Sequence, residues 1–248
     1  MKILSIGNSF SSDATRYVHE IAKSDGVNIQ TINLYIGGCS LATHCENMHN
    51  NAKSYMVERN GIPTARFSSI KEALQSDQWD YVTMQQASPL SVNYETYQPY
   101  LGALSEYVSK YAPKAEQIIH QTWAYAQGSE ALCEEMGYQT HHAMLHDVKT
   151  AYDTAAKICN AKLIPSGTAF ADMVNAKAPD MYRDPTHASM GLGRYVLGLV
   201  WYGFFTGNRV IGNRFRAFDE PVCEEAVAIA QRCVQDVLFN LKGRTELQ

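Results

Sequence analysis

The sequence predicts an α/β fold in which a parallel sheet is covered by helices on both faces. Five short runs rich in β-branched and aliphatic residues, at 2–6, 27–36, 79–84, 116–120 and 161–164, read as strands. The segments between them repeat their apolar residues at helical spacing, and strands alternating with helices build a parallel sheet through right-handed crossovers. The chain of 248 residues is 46% hydrophobic, enough for one substantial core, and no repeat, linker or low-complexity stretch divides it. Residues 1–248 are therefore expected to form one three-layer α/β domain with a five-stranded parallel sheet.

Each element has its own warrant. Lys2 to Ile6 is a short apolar strand, and Gly7-Asn8-Ser9-Phe10-Ser11 follows it without a spacer. A helical stretch begins near Asp13 and runs through Tyr17, Val18, Ile21 and Ala22. The second strand ends at Gly37-Gly38, and Leu41 to Ala52 reads as a helix. Residues 53–67 contain Asn60-Gly61, a two-residue hairpin turn, which predicts a small antiparallel insert at the sheet edge or over the site. Ser69 to Gln75 is a short helix ahead of the third strand. Tyr97, Leu101, Leu104, Val108 and Tyr111 keep helical spacing, as do Met144, Val148, Tyr152 and Ala155 after the fourth strand. The fifth strand closes on Pro165-Ser166-Gly167. The apolar stretch Leu192 to Phe205 and a final helix, Val222 to Leu241, complete the chain.

Two sites in this pattern carry chemistry. Ser9 stands in a tight Gly turn between a strand and a helix start, where free backbone N–H groups face whatever negative charge forms. Far downstream, Asp184 and His187 are three residues apart in Tyr182-Arg183-Asp184-Pro185-Thr186-His187-Ala188-Ser189. A carboxylate so placed can accept the imidazole Nδ1–H and leave Nε2 free to take a proton from a Ser hydroxyl. Asp184-Pro185 is also a good helix start, so the same residues could simply cap a helix. Ser9, Gly38, Gln85 and Trp123 all follow strand C-terminal ends, the edge where open α/β sheets bind ligands. Trp123, with Tyr125 nearby, could present a stacking face to a sugar ring or could pack beneath the following helix.

Composition excludes other classes. The formal net charge of −4 comes from 25 acidic and 21 basic residues with no long run of either sign, which argues against a nucleic-acid partner. No span of eighteen apolar residues exists, so no membrane helix is expected. Met1 leads directly into the first strand; a cytoplasmic protein is expected, or an exported one whose signal has been replaced by Met. The six cysteines, Cys39, Cys45, Cys133, Cys159, Cys223 and Cys233, include no C-x-x-C and are expected as free thiols. Cys39 lacks the surroundings of a catalytic cysteine. His142 and His146, and likewise His44, Cys45 and His49, fall at helical spacing without an H-E-x-x-H pattern or a third ligand, so no metal or other cofactor is expected.

Gly7-Asn8-Ser9-Phe10-Ser11, the Gly37-Gly38-Cys39-Ser40 turn and the Asp184-x-x-His187 pair resemble, in order, three blocks of the SGNH hydrolases, or GDSL-type esterases. The resemblance spans most of residues 1–241, and Gly-Asn-Ser-Phe is similar to the variant start of a bacterial subgroup described as acetylhydrolases. It implies a flavodoxin-like SGNH fold, with Ser9 as nucleophile, His187 as base and Asp184 as its orienter. The N–H groups of Ser9 and Gly38 are implied as oxyanion donors. The family's third block, Gly-x-Asn-Asp, is absent. After Trp79 to Met84 stand Gln85-Gln86-Ala87-Ser88, and a Gln amide carries the same donor on a longer stem, so Gln85, with Gln86 second, is expected to replace the family's Asn.

The expected activity is hydrolysis of a small acyl ester, acetyl by the resemblance, on a small-molecule or oligosaccharide substrate. A lipase or thioesterase of the same fold, and a non-catalytic carbohydrate-binding module, are the alternatives.

Overall fold

Seven strands, β1 (Lys2–Gly7), β2 (Gln30–Tyr35), β3 (Tyr55–Arg59), β4 (Ile62–Ser68), β5 (Tyr81–Met84), β6 (Glu116–His120) and β7 (Lys162–Ile164), form one sheet in the computed structural model, which describes residues 1–179 and 181–245. Their order is β4-β3-β2-β1-β5-β6-β7. The five strands from β2 to β7 are mutually parallel, as the alternating pattern predicts. The sheet is nonetheless larger than the five strands expected. The hairpin of β3 and β4 pairs antiparallel with the open edge of β2, Ile32 opposite Arg59 and Tyr35 opposite Met56, and extends the sheet. An unpaired β2 edge would leave a row of N–H and C=O groups without partners, and the hairpin supplies them. Its turn is Asn60-Gly61, both residues at positive φ, as a two-residue hairpin requires.

The helices are α1 (Ser9–Thr15), α2 (Val18–Ser24), α3 (Leu41–His49), α4 (Ile70–Gln75), α5 (Tyr100–Tyr111), α6 (His141–Ile158), α7 (Ser166–Asn175), α8 (Leu192–Thr206) and α9 (Glu224–Thr245). The helices α1, α2, α7, α8 and α9 pack on one another, while α3, α4 and α5 form a second group. Right-handed crossovers put the two groups on opposite faces, giving three layers. The apolar α8 is buried along almost its whole length between its neighbours. No helix among the described residues is long and apolar enough to cross a membrane.

One boundary differs in a way that matters. The helix expected from near Asp13 starts four residues earlier, at Ser9, and is broken at Arg16 and Tyr17 into α1 and α2. Ser9 is thus the first residue of a helix and not part of the loop before it. The parallel strands run β2-β1-β5-β6-β7, so the connection reverses direction between β1 and β5. Such a switch point leaves a crevice at the strand C-termini, and Gly7-Asn8-Ser9 and Gln85-Gln86 border it from the two sides.

Candidate active site

The turn that carries Ser9 is fixed by its neighbours. Gly7 has no room for a side chain: a Cβ there would lie 2.1 Å from Ser11 Oγ. That closeness lets the Asn8 N–H donate to Ser11 Oγ at 3.0 Å, while Ser11 Oγ donates to Asn33 Oδ1 on β2 at 2.8 Å. Asn8 is the N-cap of α1 and is buried, with both its amide oxygen and its amide nitrogen hydrogen-bonded. Its Oδ1 accepts from the Phe10 N–H at 3.0 Å and from Gln85 Nε2 at 2.8 Å, and its Nδ2 donates to the Cys39 carbonyl at 3.0 Å. One side chain therefore ties β1, the β2–α3 turn and the end of β5 together directly beneath Ser9.

The partner loop is folded back on itself by an isolated bridge between Tyr182 and Ala188, with the Arg183 N–H donating to the His187 carbonyl at 3.1 Å. Asp184 does not start a helix, since α8 begins only at Leu192. It caps the loop itself: Oδ1 accepts the N–H groups of Thr186 at 2.9 Å and His187 at 2.8 Å. The loop after β6 supports this one from the side. Trp123 Nε1 donates to the Thr186 carbonyl at 2.9 Å, the Ala126 N–H donates to the Pro185 carbonyl at 2.8 Å, and Tyr182 Oη donates to the Ala124 carbonyl at 2.8 Å.

These two units meet in one line. His187 Nε2 lies 2.8 Å from Ser9 Oγ, and His187 Nδ1 lies 2.9 Å from Asp184 Oδ2 and 3.1 Å from Oδ1. Partial burial pushes the Asp184 carboxyl up, but the backbone N–H groups of Thr186 and His187 and the imidazole together outweigh it and bring the carboxyl down to about 2. An ionised Asp184 holds the proton of a neutral imidazole on Nδ1, so Nε2 accepts from the Ser9 hydroxyl.

Ser9 and His187 open onto a small pocket of about 170 Å³, walled by Asn8, Phe10, Gly38, Ser88, Pro89 and Thr186. Gly38 lies in the Ile36–Cys39 turn, closed by the Cys39 N–H donating to the Ile36 carbonyl at 3.2 Å. Its φ of +65° is the conformation that the third position of such a turn demands, and it favours Gly. Among the described residues, neither the Ser9 nor the Gly38 N–H has a backbone or side-chain acceptor.

Residues 2–237 match the profile of a family described as "Domain of unknown function (DUF4886)". The crystal structure of a DUF4886 family protein from Bacteroides uniformis is 33% identical, with a TM-score of 0.90 over 96% of this chain and 95% of that one. The chain belongs to the DUF4886 family. A candidate SGNH hydrolase from Slackia heliotrinireducens is 25% identical, with a TM-score of 0.60 over 83% of this chain and 98% of that one. An acetyl-xylooligosaccharide esterase from Geobacillus stearothermophilus, solved as a mutant, shares the fold at 16% identity, with a TM-score of 0.52 over 87% and 97% of the two chains. The fold of this DUF4886 chain is thus that of the SGNH hydrolases. No curated protein matches its sequence.

Several expected residues have other surroundings in the DUF4886 chain. The Gln85 amide nitrogen, expected at the oxyanion, donates to Asn8 Oδ1 instead, and Gln85 is not among the residues lining the pocket. Its Oε1 lies 2.6 Å from His120 Nδ1. Gln86 is equally committed: Nε2 donates to the Thr96 carbonyl at 2.9 Å, and Oε1 accepts the N–H groups of Leu41 and Ala87. Trp123, expected as a possible stacking face, is fully buried between Phe10, 4.2 Å away centroid to centroid, and Phe170, and supports the loop from beneath. Cys39 is buried beside His44, and burial pushes its thiol up to about 12. The described residues contain no group of three His, Cys, Asp or Glu side chains placed to hold a metal ion.

Asn8, His120 and the Ser88–Pro89 pair also surround Ser9 and Gln85, though none is among the site residues expected from the sequence. Asn8 carries a legible sign, because Asn8 and Ser11 have the spacing of an N-cap and its reciprocal partner. His120 is fully buried, and burial lowers it to about 3. The neutral ring donates through Nδ1 to Gln85 Oε1, and Nε2 accepts from Ser166 Oγ at 3.1 Å. Ser88 and Pro89 line the pocket from a single 3₁₀ turn, Ser88–Leu90, with Ser88 Oγ paired to Tyr125 Oη at 2.9 Å. A 3₁₀ turn of three residues has no periodicity for a sequence to display.

Proposed function

We propose that this protein is a serine esterase that removes a small acyl group, acetyl in the first instance, from a carbohydrate. The observation that carries the reading is the unbroken line Ser9 Oγ–His187 Nε2, at 2.8 Å, and His187 Nδ1–Asp184 Oδ2, at 2.9 Å. Ser9 Oγ attacks the ester carbonyl as its proton passes to His187 Nε2. Asp184 stabilises the imidazolium and keeps the ring oriented. The carbonyl oxygen becomes an oxyanion that accepts the Ser9 and Gly38 N–H groups. His187 then protonates the leaving sugar hydroxyl and the C–O bond breaks, leaving an acyl-Ser9 ester. Water attacks that ester with His187 again as base, and acetate and free Ser9 are regenerated.

The pocket supports the small acyl group. A closed cavity of about 150 Å³ admits a molecule the size of benzene, and the space at Ser9 is about 170 Å³. An acetyl group fits within it, and a longer chain would have to extend beyond it. The carbohydrate part rests on the resemblance to SGNH acetylesterases and on the fold shared with an acetyl-xylooligosaccharide esterase.

A sulfonyl fluoride should add its mass to the peptide containing Ser9, and p-nitrophenyl acetate turnover should vanish in Ser9→Ala. Labelling at Ser88 or Ser189, or turnover surviving in Ser9→Ala, would overturn the reading. A folded protein that neither turns over esters nor takes the label would be a binding module that keeps the fold.

A further inference from the structure

Ser9 and Asp13 stand four residues apart on α1, and Arg183 precedes Asp184 on the loop. Asp13 is fully buried, and its carboxylate lies between two guanidinium groups. Arg183 Nη1 donates to Oδ1 at 2.8 Å and to Oδ2 at 2.9 Å, and Arg194 Nε donates to Oδ1 at 2.9 Å. A buried carboxylate without such partners would be strongly unfavourable, so one ion pair at this position needs no functional explanation. Arg194, on α8, supplies that pair and continues the charge chain outward through Asp219, 3.2 Å from its Nη1, to Arg16.

Arg183 does something else. Its remaining contacts fall on the catalytic loop: Nη1 also donates to the carbonyl of Ala188, the residue after His187, and Nε lies 3.9 Å from Asp184 Oδ2. One guanidinium thus reaches from the helix of the nucleophile to both ends of the Asp184–His187 segment. Among the described residues two polar links join α1 to this segment, the Ser9–His187 bond itself and the Asp13–Arg183 pair. The other tethers of the segment run to the loop after β6.

We propose that Arg183, anchored by Asp13, is the positioning residue that sets the Asp184–His187 pair against Ser9. The proposal rests on the triad reading above. It follows from how distance-sensitive proton transfer between Ser9 Oγ and His187 Nε2 is: a misplacement of about 1 Å can cost about 10²-fold in rate. The two atoms belong to elements 178 residues apart, and the Asp13–Arg183 pair, 170 residues apart, spans the same gap one helical turn further along α1.

The test compares Arg183→Gln, Arg183→Lys, Asp13→Asn and Arg194→Gln by p-nitrophenyl acetate kinetics, urea midpoint and the ¹⁵N spectrum of the His187 imidazole. Arg183→Gln should lower kcat by about 10- to 100-fold with KM within about two-fold, and should shift the His187 nitrogens from the Nδ1–H tautomer toward a mixture. Arg183→Lys, which keeps the charge on one nitrogen but places it differently from Nη1, should recover part of both effects, and it serves as the reading variant if Arg183→Gln does not fold. In the double variant, Asp13→Asn should add little to the kcat defect of Arg183→Gln, because both break one link. Arg194→Gln should lower the urea midpoint and leave kcat and the His187 spectrum near the parent's. A parent-like His187 spectrum and kcat in Arg183→Gln overturns the proposal. If the parent turns over no ester and Arg183→Gln still shifts the His187 spectrum, the clamp stands and the esterase reading falls.

Discussion

Gln85 Nε2 donates to Asn8 Oδ1 at 2.8 Å, a bond between residues 77 apart that crosses the sheet switch point next to the Ser9 turn. Behind it the chain runs on through His120 to Ser166. Gln85 therefore supports Asn8, whose Oδ1 accepts one of the two N–H groups of the Gln85 amide.

This separates two outcomes for Gln85→Ala. A direct oxyanion donor would cost about 10² to 10³ in kcat when removed. A support for Asn8 should cost less, about ten-fold, and should also destabilise the fold, because the buried His120 Nδ1–H loses its acceptor at about 1–3 kcal/mol. Gln86→Ala should lose stability with kcat within a few-fold, since its amide holds Leu41 and Thr96. Kinetics and urea midpoints on the two variants decide it. A large kcat loss in Gln85→Ala at unchanged stability would make Gln85 a direct donor after all.

The pH response of Asp184 follows from its displacement. Its folded value, about 2, lies below the ordinary 3.8. A depressed carboxyl contributes stability that is fully present above the ordinary value and is lost as pH falls through the folded one. The urea midpoint of the parent should therefore carry a component that falls between pH 4 and pH 2, and Asp184→Asn should lack it. At neutral pH the same variant should lose about 10⁴-fold in kcat, because an Asn can hold the imidazole in the wrong tautomer.

Glu58 has the opposite sign. It is buried on β3, and burial raises its carboxyl despite donors from Asn33 Nδ2 at 2.7 Å and Ser12 Oγ at 2.8 Å. A raised carboxyl favours the fold at low pH and costs stability once it ionises. Glu58→Gln keeps the shape, and its amide can donate to Ser12 Oγ while its oxygen accepts from Asn33. It should be at least as stable as the parent at pH 8, with the advantage shrinking as pH falls toward 4.5. A Glu58→Gln variant less stable than the parent at pH 8 would show that the charge is needed.

The parallel core was legible because each of its strands is a self-contained apolar run, and the meeting of Ser9, His187 and Asp184 because each sits in a local turn pattern of its own. What lay hidden is long-range. Nothing near Gln85 says that its amide meets Asn8, or near Asp13 that it meets Arg183, because those partners are set by strand order and helix packing. The burial of Trp123 has the same origin: its neighbours Phe10 and Phe170 come from α1 and α7. The seven-stranded sheet was half legible, since Asn60-Gly61 announces the hairpin but not the β2 edge that it joins.

The last expectation concerns acyl chain length and the pocket beside Ser9. Its lining includes Ser88, Pro89 and Phe10, and Phe10 stacks on Trp123. Phe10 has little room to move, because Trp123 is packed against Phe170 in turn. Pro89 can give way, because it is exposed on a single 3₁₀ turn. Each methylene that fails to find a place is worth about 1–3 kcal/mol in discrimination. The parent should therefore prefer p-nitrophenyl acetate to the octanoyl ester by at least about 100-fold in kcat/KM, and Pro89→Ala should narrow that ratio by raising the rate on the octanoyl ester. The acetyl rate itself should change little, because Pro89 is not part of the Ser9–His187–Asp184 line. Equal rates on acetyl and octanoyl esters in the parent would show that the acyl chain leaves the pocket by another path and that the enzyme is a lipase-like hydrolase.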